Sequence, residues 1–397
     1  MSKLPFYKPS LGQEEIDEVV DTLKSGWLTT GPKTKQFEQE FSAYLKHRHS
    51  VAVNSCTAAL HLALEAIGLQ PGQGVIVPTM TFAATAEVVR YLGGRPILAD
   101  CRADDFNLDT ADAERKIQSA LAAGQSVSAV MPVHYGGQIG DVAGVRALAG
   151  RYHLKIVEDA AHCCPAFYRE SESAPWQTVG SSADVSCYSF YANKTITTGE
   201  GGMACSNDEA CASRMRMMSL HGISHDAWKR FTDQGSWYYE ILAPGFKYNM
   251  TDIAAAIGIH QLRKAGAFHQ RRTAIAGQYQ ELLRHLDEII LPQVQPNRIH
   301  SWHLYVIRLK LERLRIDRAQ FIVELRNRGV NPSVHWMPLH MHPYYRQTLG
   351  LAAEDLPMAA SLYPQIITLP LYPDMGEAGV RQVCGAIEDI VRSNRRA

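Results

Sequence analysis

The sequence predicts an α/β fold with a mostly parallel central sheet covered by helices, followed by a smaller α+β domain. Three observations carry this. Short apolar runs alternate with helical stretches of about 10–15 residues, the pattern of parallel βαβ units. The apolar runs are nearly continuous, as expected of strands covered on both faces. Beyond Thr251 the alternation stops, and long helical stretches give way to mixed elements.

Taken in order, Gln13 to Ser25 has helical periodicity and stops at Gly26, and Thr34 to Leu45 reads as a second helix. Ser50 to Asn54 is a strand that turns through Ser55-Cys56-Thr57 into a helix from Ala58 to Ile67. Gly74 to Pro78, Pro96 to Asp100 and Val127 to Val133 read as strands, with helices at Thr85 to Leu92 and Ala143 to Tyr152. Lys155 to Val157 is a strand ending at Glu158-Asp159, and Val185 to Phe190 is another. Thr251 to Leu262 and Gln270 to Leu286 read as two helices, Trp302 to Leu309 as a strand and Arg318 to Asn327 as a helix. This places a large domain at 1–254, with an N-terminal helical segment, and a small one at 255–397. The segment 223–243 holds Trp228, Phe231, Trp237, Tyr238 and Tyr239 without clean periodicity. It reads equally as a loop packed by its own side chains or as a substrate- or subunit-contact loop.

A chain of 397 residues is long enough for two packed domains. Its 40 basic and 40 acidic side chains cancel, which argues for a small-molecule partner and against nucleic acid. The eight cysteines include no CxxC spacing and are expected as buried free thiols in a reducing compartment. The first residues lack the apolar run of a signal peptide, and no stretch approaches the roughly 20 apolar residues of a membrane span. A cytoplasmic protein with no membrane contact is expected.

Four stretches carry chemistry. Lys194 lies between an apolar strand and a turn containing Gly199, Gly201 and Gly202. A lysine becomes a nucleophile when it is desolvated, and glycines let backbone approach a bound group; a surface lysine is the ordinary alternative. Asp159 ends a strand at the edge where open α/β sheets bind ligands; the lesser alternative is an Asp that simply caps the next turn. The Ser55-Cys56-Thr57-Ala58 turn opens a helix directly after a strand, a place suited to a phosphate, although ordinary helix caps look alike. Phe82 follows another strand and offers a ring to a flat cofactor, or to the core.

In this order (phosphate turn, aromatic, aspartate, lysine) the stretches resemble fold-type I PLP (pyridoxal 5'-phosphate) enzymes, and specifically the DegT/StrS-type sugar aminotransferases. The resemblance spans nearly the whole chain. It runs through Ser25-Gly-Trp27-Leu-Thr-Thr-Gly31-Pro, Pro132-Val-His134-Tyr-Gly, Glu158-Asp-Ala-Ala-His162 and Ser189-Phe-Tyr-Ala-Asn-Lys194, and continues with Pro244-Gly-Phe-Lys-Tyr-Asn249-Met-Thr-Asp252 and Met337-Pro-Leu-His340. The sequence departs from the commonest pattern at Tyr191-Ala-Asn193 and in an insertion around Ser171 to Val179; neither removes a chemical group.

The resemblance implies that Lys194 carries PLP as a Schiff base and that Asp159 pairs with the pyridine nitrogen. It further implies that Phe82 stacks on the ring, and that Thr57, Ala58 and Ser189 hold the phosphate. Asn249 would reach the phosphate of a neighbouring subunit's cofactor, making a homodimer with shared active sites. His162 would lie close to cofactor and sugar, and His335, His340 and Lys247 are candidate substrate contacts, with Trp302 and Trp336 also able to line the pocket. The implied reaction moves an amino group from glutamate to a nucleotide-linked keto-sugar. His162 with Lys247-Tyr-Asn249 resembles the branch that aminates carbon 4 of UDP-sugars. Competing readings are a non-catalytic PLP-binding regulator and an aminotransferase for a non-sugar ring ketone. A PLP-dependent sugar dehydratase would have histidine where this chain has Lys194.

Overall fold

The computed structural model describes residues 3–224 and 239–396. Trp228, Phe231, Trp237 and Tyr238 lie outside the described residues. In chain order the strands are β1 (His49–Val53), β2 (Gly74–Pro78), β3 (Arg95–Ala99), β4 (Val127–Val130), β5 (Lys155–Asp159), β6 (Phe167–Tyr168), β7 (Gln177–Thr178), β8 (Val185–Ser189), β9 (Gly202–Ser206), β10 (Ile289–Ile290), β11 (Arg298–Ile299), β12 (Tyr305–Leu309) and β13 (Ile366–Leu369). The helices are α1 (Gln13–Ser25), α2 (Pro32–Leu45), α3 (Cys56–Ala66), α4 (Ala84–Tyr91), α5 (Thr110–Ala122), α6 (Val142–Tyr152), α7 (Glu209–Met218), α8 (Asp252–Leu283), α9 (Arg318–Asn327), α10 (Pro343–Leu349), α11 (Pro357–Leu362) and α12 (Glu377–Asn394).

Seven strands form one sheet in the order β1-β9-β8-β5-β4-β2-β3. All run parallel except β9, which is antiparallel to both its neighbours. Strands β2, β8 and β9 are buried along their whole length, as a sheet covered on both faces requires. Every parallel strand therefore ends at one edge. That edge collects Asn54, Thr79, Asp159 and Ser189, together with the start of β9 at Gly202.

Two smaller sheets complete the fold. Strands β10-β12-β13 form one, packed with α9 and α12 around a core of Tyr279, Tyr305, Phe321 and Ile387. Strands β11-β6-β7 form the other, so the inserted stretch near Ser171 to Val179 closes a small hairpin onto β11.

The two helices expected beyond Thr251 are one continuous helix of 32 residues. The intervening Arg263-Lys-Ala-Gly-Ala-Phe-His269 contains no proline, and a Cβ at Gly266 would meet open space. Ion pairs hold this middle section from outside: Arg263 to Glu40, and Lys264 to Glu14 and Glu15. Helix α8 also enters two cores. Ala255, Ile259 and Leu262 pack with Phe37, Phe41 and Phe190, whereas Ile275, Tyr279 and Leu283 pack with β12 and β13. The N-terminal segment crosses the same way, since Leu4 pairs with Val330.

Asp252 opens α8 but acts on α2. Its buried carboxylate accepts the backbone N–H groups of Gly31 (2.8 Å), Lys33 (3.0 Å) and Thr34 (2.9 Å), and the Thr34 hydroxyl (2.6 Å). These are the orphan donors of a helix start, and Pro32 at the first turn needs no N–H partner. The turn Gly31-Pro and the distant Asp252 are thereby one structural unit. Among the described residues, no helix is long and apolar enough to cross a membrane.

Candidate active site

The sheet edge brings the chemistry together. Across it, Asn249 pairs with Val53, Val53 with Gly202, and Gly202 with Ser189. Next to them, Cys187 of β8 pairs with Asp159 of β5. The segment Pro132 to His134 is bonded beside Asp159 through Asp159 N–H to Pro132 O (2.9 Å) and His134 N–H to Asp159 O (3.2 Å).

Helix α3 begins at this edge. Ser55 caps it, accepting the Ala58 N–H at 3.1 Å. The Cys56 and Thr57 amides then stand at the open, electropositive end of the helix. The Ala58 amide is already committed to Ser55, so Cys56 and Thr57 are the freer donors. Gly202 backs the turn so closely that a Cβ there would lie 2.5 Å from Ser55 C and O and 2.6 Å from Cys56 N. Ser189 is buried beside it, its hydroxyl accepting the Tyr191 N–H at 3.4 Å. The result is a backbone-walled cradle with amide and hydroxyl donors, suited to an anion.

Lys194 sits in the turn between β8 and β9, its N–H bonded to Tyr191 O at 2.9 Å. Burial pushes its amine down to about 8, against opposing pulls from Cys56, Asp159 and Cys163. A minor fraction of the amine, far larger than for an ordinary lysine, is therefore neutral near physiological pH. Asp159 is buried, and burial raises its carboxyl above the usual range. That rise is opposed by Thr85 Oγ1 donating to Oδ2 at 2.8 Å and by the Ala161 N–H donating to Oδ1 at 3.1 Å. Phe82 is 61% exposed in an otherwise enclosed region, so among the described residues much of its ring is left open to a bound group.

His162 lies within electrostatic reach of Lys194. Its Nδ1 accepts the Gly136 N–H at 3.2 Å, so its neutral form carries the proton on Nε2. Burial, then the charge of Lys194 and neighbouring histidines, push it well below the usual histidine range. Its ring stacks on Trp336 at 5.2 Å and 18°, and lies against His303 at 4.4 Å. His335 bonds Thr368 Oγ1 through Nδ1 (2.9 Å) and stacks on Phe6 at 5.4 Å, while its carbonyl accepts the Tyr135 hydroxyl.

Other candidates are placed differently. His340 is wholly enclosed, bonded through Nδ1 to Thr79 Oγ1 at 2.8 Å. Trp302 is packed in the second core, stacked on His300 at 4.1 Å. Lys247 donates to Asn249 Oδ1 (2.5 Å), and Asn249 Nδ2 donates to Thr30 Oγ1 (2.7 Å). Sequence reasoning missed Thr85 and His303, and placed Cys56 in the phosphate turn without a role of its own. Thr85 had a faint signal, a hydroxyl four residues after Thr81 at the start of the predicted helix; His303 had none.

These residues fit PLP. The cradle matches a phosphate, the buried carboxylate a protonated ring nitrogen, the exposed Phe82 ring a flat heterocycle, and the neutralised Lys194 amine an aldehyde. A lysine and a buried aspartate at the strand ends of a mostly parallel, seven-stranded sheet define the class: a PLP-dependent aminotransferase of fold type I. The chain belongs to the DegT/DnrJ/EryC1/StrS aminotransferase family, whose model matches residues 9–388. It is 42% identical over 390 residues to the spore coat polysaccharide biosynthesis protein SpsC of Bacillus subtilis, covering 98% of this chain and 97% of that one. Among solved structures it is similar to Spr1654 of Streptococcus pneumoniae, assigned as a sugar aminotransferase, in its PMP-form (TM-score 0.89, 32% identity, 98% of this chain and 99% of that one). It is likewise similar to DesV of S. venezuelae (TM-score 0.87, 30% identity, 98% and 99%).

Proposed function

We propose that this enzyme moves an amino group from glutamate to carbon 4 of a nucleotide-linked keto-sugar, a UDP- or dTDP-sugar, for surface polysaccharide or lipopolysaccharide biosynthesis. The observation that carries the reading is His162: a neutral imidazole beside Lys194, stacked on Trp336. It offers an Nε2–H donor and an aromatic wall to a polyhydroxylated ring. Supporting the sugar and its pathway are the names of SpsC and Spr1654, at 42% and 32% identity.

In this reading Lys194 holds the cofactor, and its Nζ then takes the proton from the donor's α-carbon and returns one to the acceptor's carbon. Asp159 holds the proton on the pyridine nitrogen. Thr57, whose amide is free, and Ala58, whose amide is shared with Ser55, would hold the phosphate with Ser189, and Phe82 would cover one ring face. PLP, when bound, supplies an electron sink for the carbon that loses its proton. His162, His335 and Lys247 orient the sugar nucleotide; His340, enclosed as it is, supports Thr79. Asn249 reaches the phosphate held by a second copy of the chain, which makes the working unit a homodimer in the cytoplasm. The division into a large domain at 1–254 and a small one at 255–397 belongs to the same proposal, with α8 shared between them.

The test is a panel of UDP- and dTDP-linked keto-sugars offered to the glutamate-treated enzyme, the product position read by NMR. Amination at carbon 4 supports the reading, and amination at carbon 3 or of a non-sugar ring ketone overturns it. Glutamate that leaves the cofactor absorbance unchanged would favour a non-catalytic PLP-binding protein. Lys194→Ala with normal turnover would remove the assignment of Lys194.

A further inference from the structure

We propose that Thr85, backed by Thr81, is the positioning residue that keeps Asp159 anionic and fixed in orientation for the cofactor. This rests on the reading of Asp159 as the partner of the ring nitrogen.

The geometry is a three-membered relay. Thr81 Oγ1 and Thr85 Oγ1 are 2.8 Å apart, and Thr85 Oγ1 is 2.8 Å from Asp159 Oδ2. An ionised carboxylate only accepts, so the Thr85 O–H must point at Asp159. The Thr85 oxygen is then free to accept the Thr81 O–H, which fixes the direction of both bonds. Both hydroxyls are enclosed, Thr81 at 2% and Thr85 at 0% exposure, so water does not substitute for either. A hydrogen bond to a charged group in such surroundings is stronger than one between neutral groups.

The carboxylate needs this help. Burial alone drives it toward the protonated form, and a neutral carboxyl would no longer hold a protonated ring nitrogen. The thiols around it (Cys56, Cys163 and Cys187) are themselves held neutral by burial. Lys194, the nearby amine, is held down to about 8 and would be committed to the cofactor once that is bound. Thr85 and the Ala161 N–H then remain as direct donors to the carboxylate, and Thr85 is the one a side-chain change can remove.

The placement also explains the spacing Thr81-Phe82-Ala83-Ala84-Thr85. Phe82 points out of the enclosure, 61% exposed, while the threonines on either side of it point in. One loop and the first turn of α4 thus serve the ring face and the carboxylate together.

The experiment measures PLP affinity by titrating the apoprotein, alongside thermal melting. Thr85→Val keeps the shape and loses the donor; it should weaken PLP binding roughly tenfold or more. Thr85→Ser restores the hydroxyl and should lie within about twofold of wild type. Asp159→Asn should weaken binding by itself, and adding Thr85→Val to it should cost less than about twofold more, because the charge Thr85 serves is gone. The proposal is overturned if folded Thr85→Val binds PLP as wild type does, if Thr85→Ser is as poor as Thr85→Val, or if the valine loss persists undiminished beside Asp159→Asn. If Asp159→Asn binds PLP normally, the reading of Asp159 fails, and the inference with it. Should Thr85→Val not fold, Thr81→Val carries the test: weakening of about threefold supports the relay, and unchanged affinity overturns it.

Discussion

His162 and Trp336 stack nearly parallel, their ring centroids 5.2 Å apart, although one follows β5 of the large sheet and the other precedes β13 of the small one. Trp336 packs on the cluster of Tyr135, Leu304 and Ile366, which draws on segments of both sheets, so the pair stands where the two sheets' segments meet. Tyr135 reinforces the joint, its ring edge-on to Trp336 at 5.6 Å and its hydroxyl on the His335 carbonyl. A wall built from segments of both sheets is a natural selector for the second substrate, because any shift between them alters its shape.

Removing that wall should therefore separate the two halves of the reaction. Trp336→Ala should lower kcat/KM for the sugar acceptor roughly tenfold or more, since a stacked aromatic contributes about 1 kcal/mol beyond its area. The amino-donor half-reaction should stay within about twofold of wild type. Stopped-flow absorbance with each substrate alone decides it; equal losses in both halves would contradict the assignment.

The Lys194 amine has a folded value of about 8 against an ordinary 10.5. Only the neutral amine attacks an aldehyde. PLP reloading of the apoprotein should therefore quicken about tenfold per pH unit below 8 and level off above it. The linked stability runs the same way. Because the folded value is depressed for a base, apoprotein stability is penalised below about 8 and recovers as pH rises toward 10.5. A reloading rate still climbing tenfold per unit between roughly pH 8.5 and 9.5 would refute this.

Buried neutral histidines should set the acid limit. His47 is pushed down to about 4, and His300 and His335 to about 3, in each case by burial first. Below the ordinary histidine value of 6.5, the unfolded chain takes up protons that the folded chain refuses, so stability falls with pH from there toward about 4. Each such group contributes about 1.4 kcal/mol per pH unit. Denaturant unfolding at stepped pH should show this slope. His300→Asn, whose Oδ1 can still accept the Trp302 N–H held at 2.8 Å, should reduce the slope by about one group's share while lowering stability overall.

Two glycines should respond in opposite directions. Gly202→Ala forces a Cβ against the backbone of Ser55 and Cys56. It should destabilise by about 1–3 kcal/mol and weaken PLP binding at least about tenfold by displacing the start of α3. Gly266→Ala, in the exposed middle of α8 with nothing within 4 Å, should be neutral or stabilising by up to about 1 kcal/mol. Thermal melts of the two variants, with PLP titration of the first, give the comparison; a Gly202→Ala protein with wild-type PLP affinity would contradict the cradle.

Much of the molecule was readable from local pattern. Gln13–Ser25, Gly74–Pro78 and Arg318–Asn327 have the predicted bounds, because hydrophobic period and terminal residues act within a few residues of each other. Strand β9 and helix α5 were not predicted. Strand β9 begins inside a glycine turn, and its antiparallel course is set by pairing with β1 and β8 on either side.

The sequence by itself determined the class of chemistry: a lysine after an apolar strand, an aspartate at a strand end, a small polar turn opening a helix, and their order along the chain. Those features are short-range, and the physics that shapes them lies in neighbouring residues. The tertiary structure alone decided that Gly202 backs the start of α3, that Asp252 caps a helix distant in sequence, that Thr81 and Thr85 line up on Asp159, and that His162 meets Trp336 instead of Trp302. Each of these is a contact between groups far apart in sequence, and burial gives it its strength: the desolvation that lowers Lys194, raises Asp159 and neutralises His162 exists only once the two cores have closed around them.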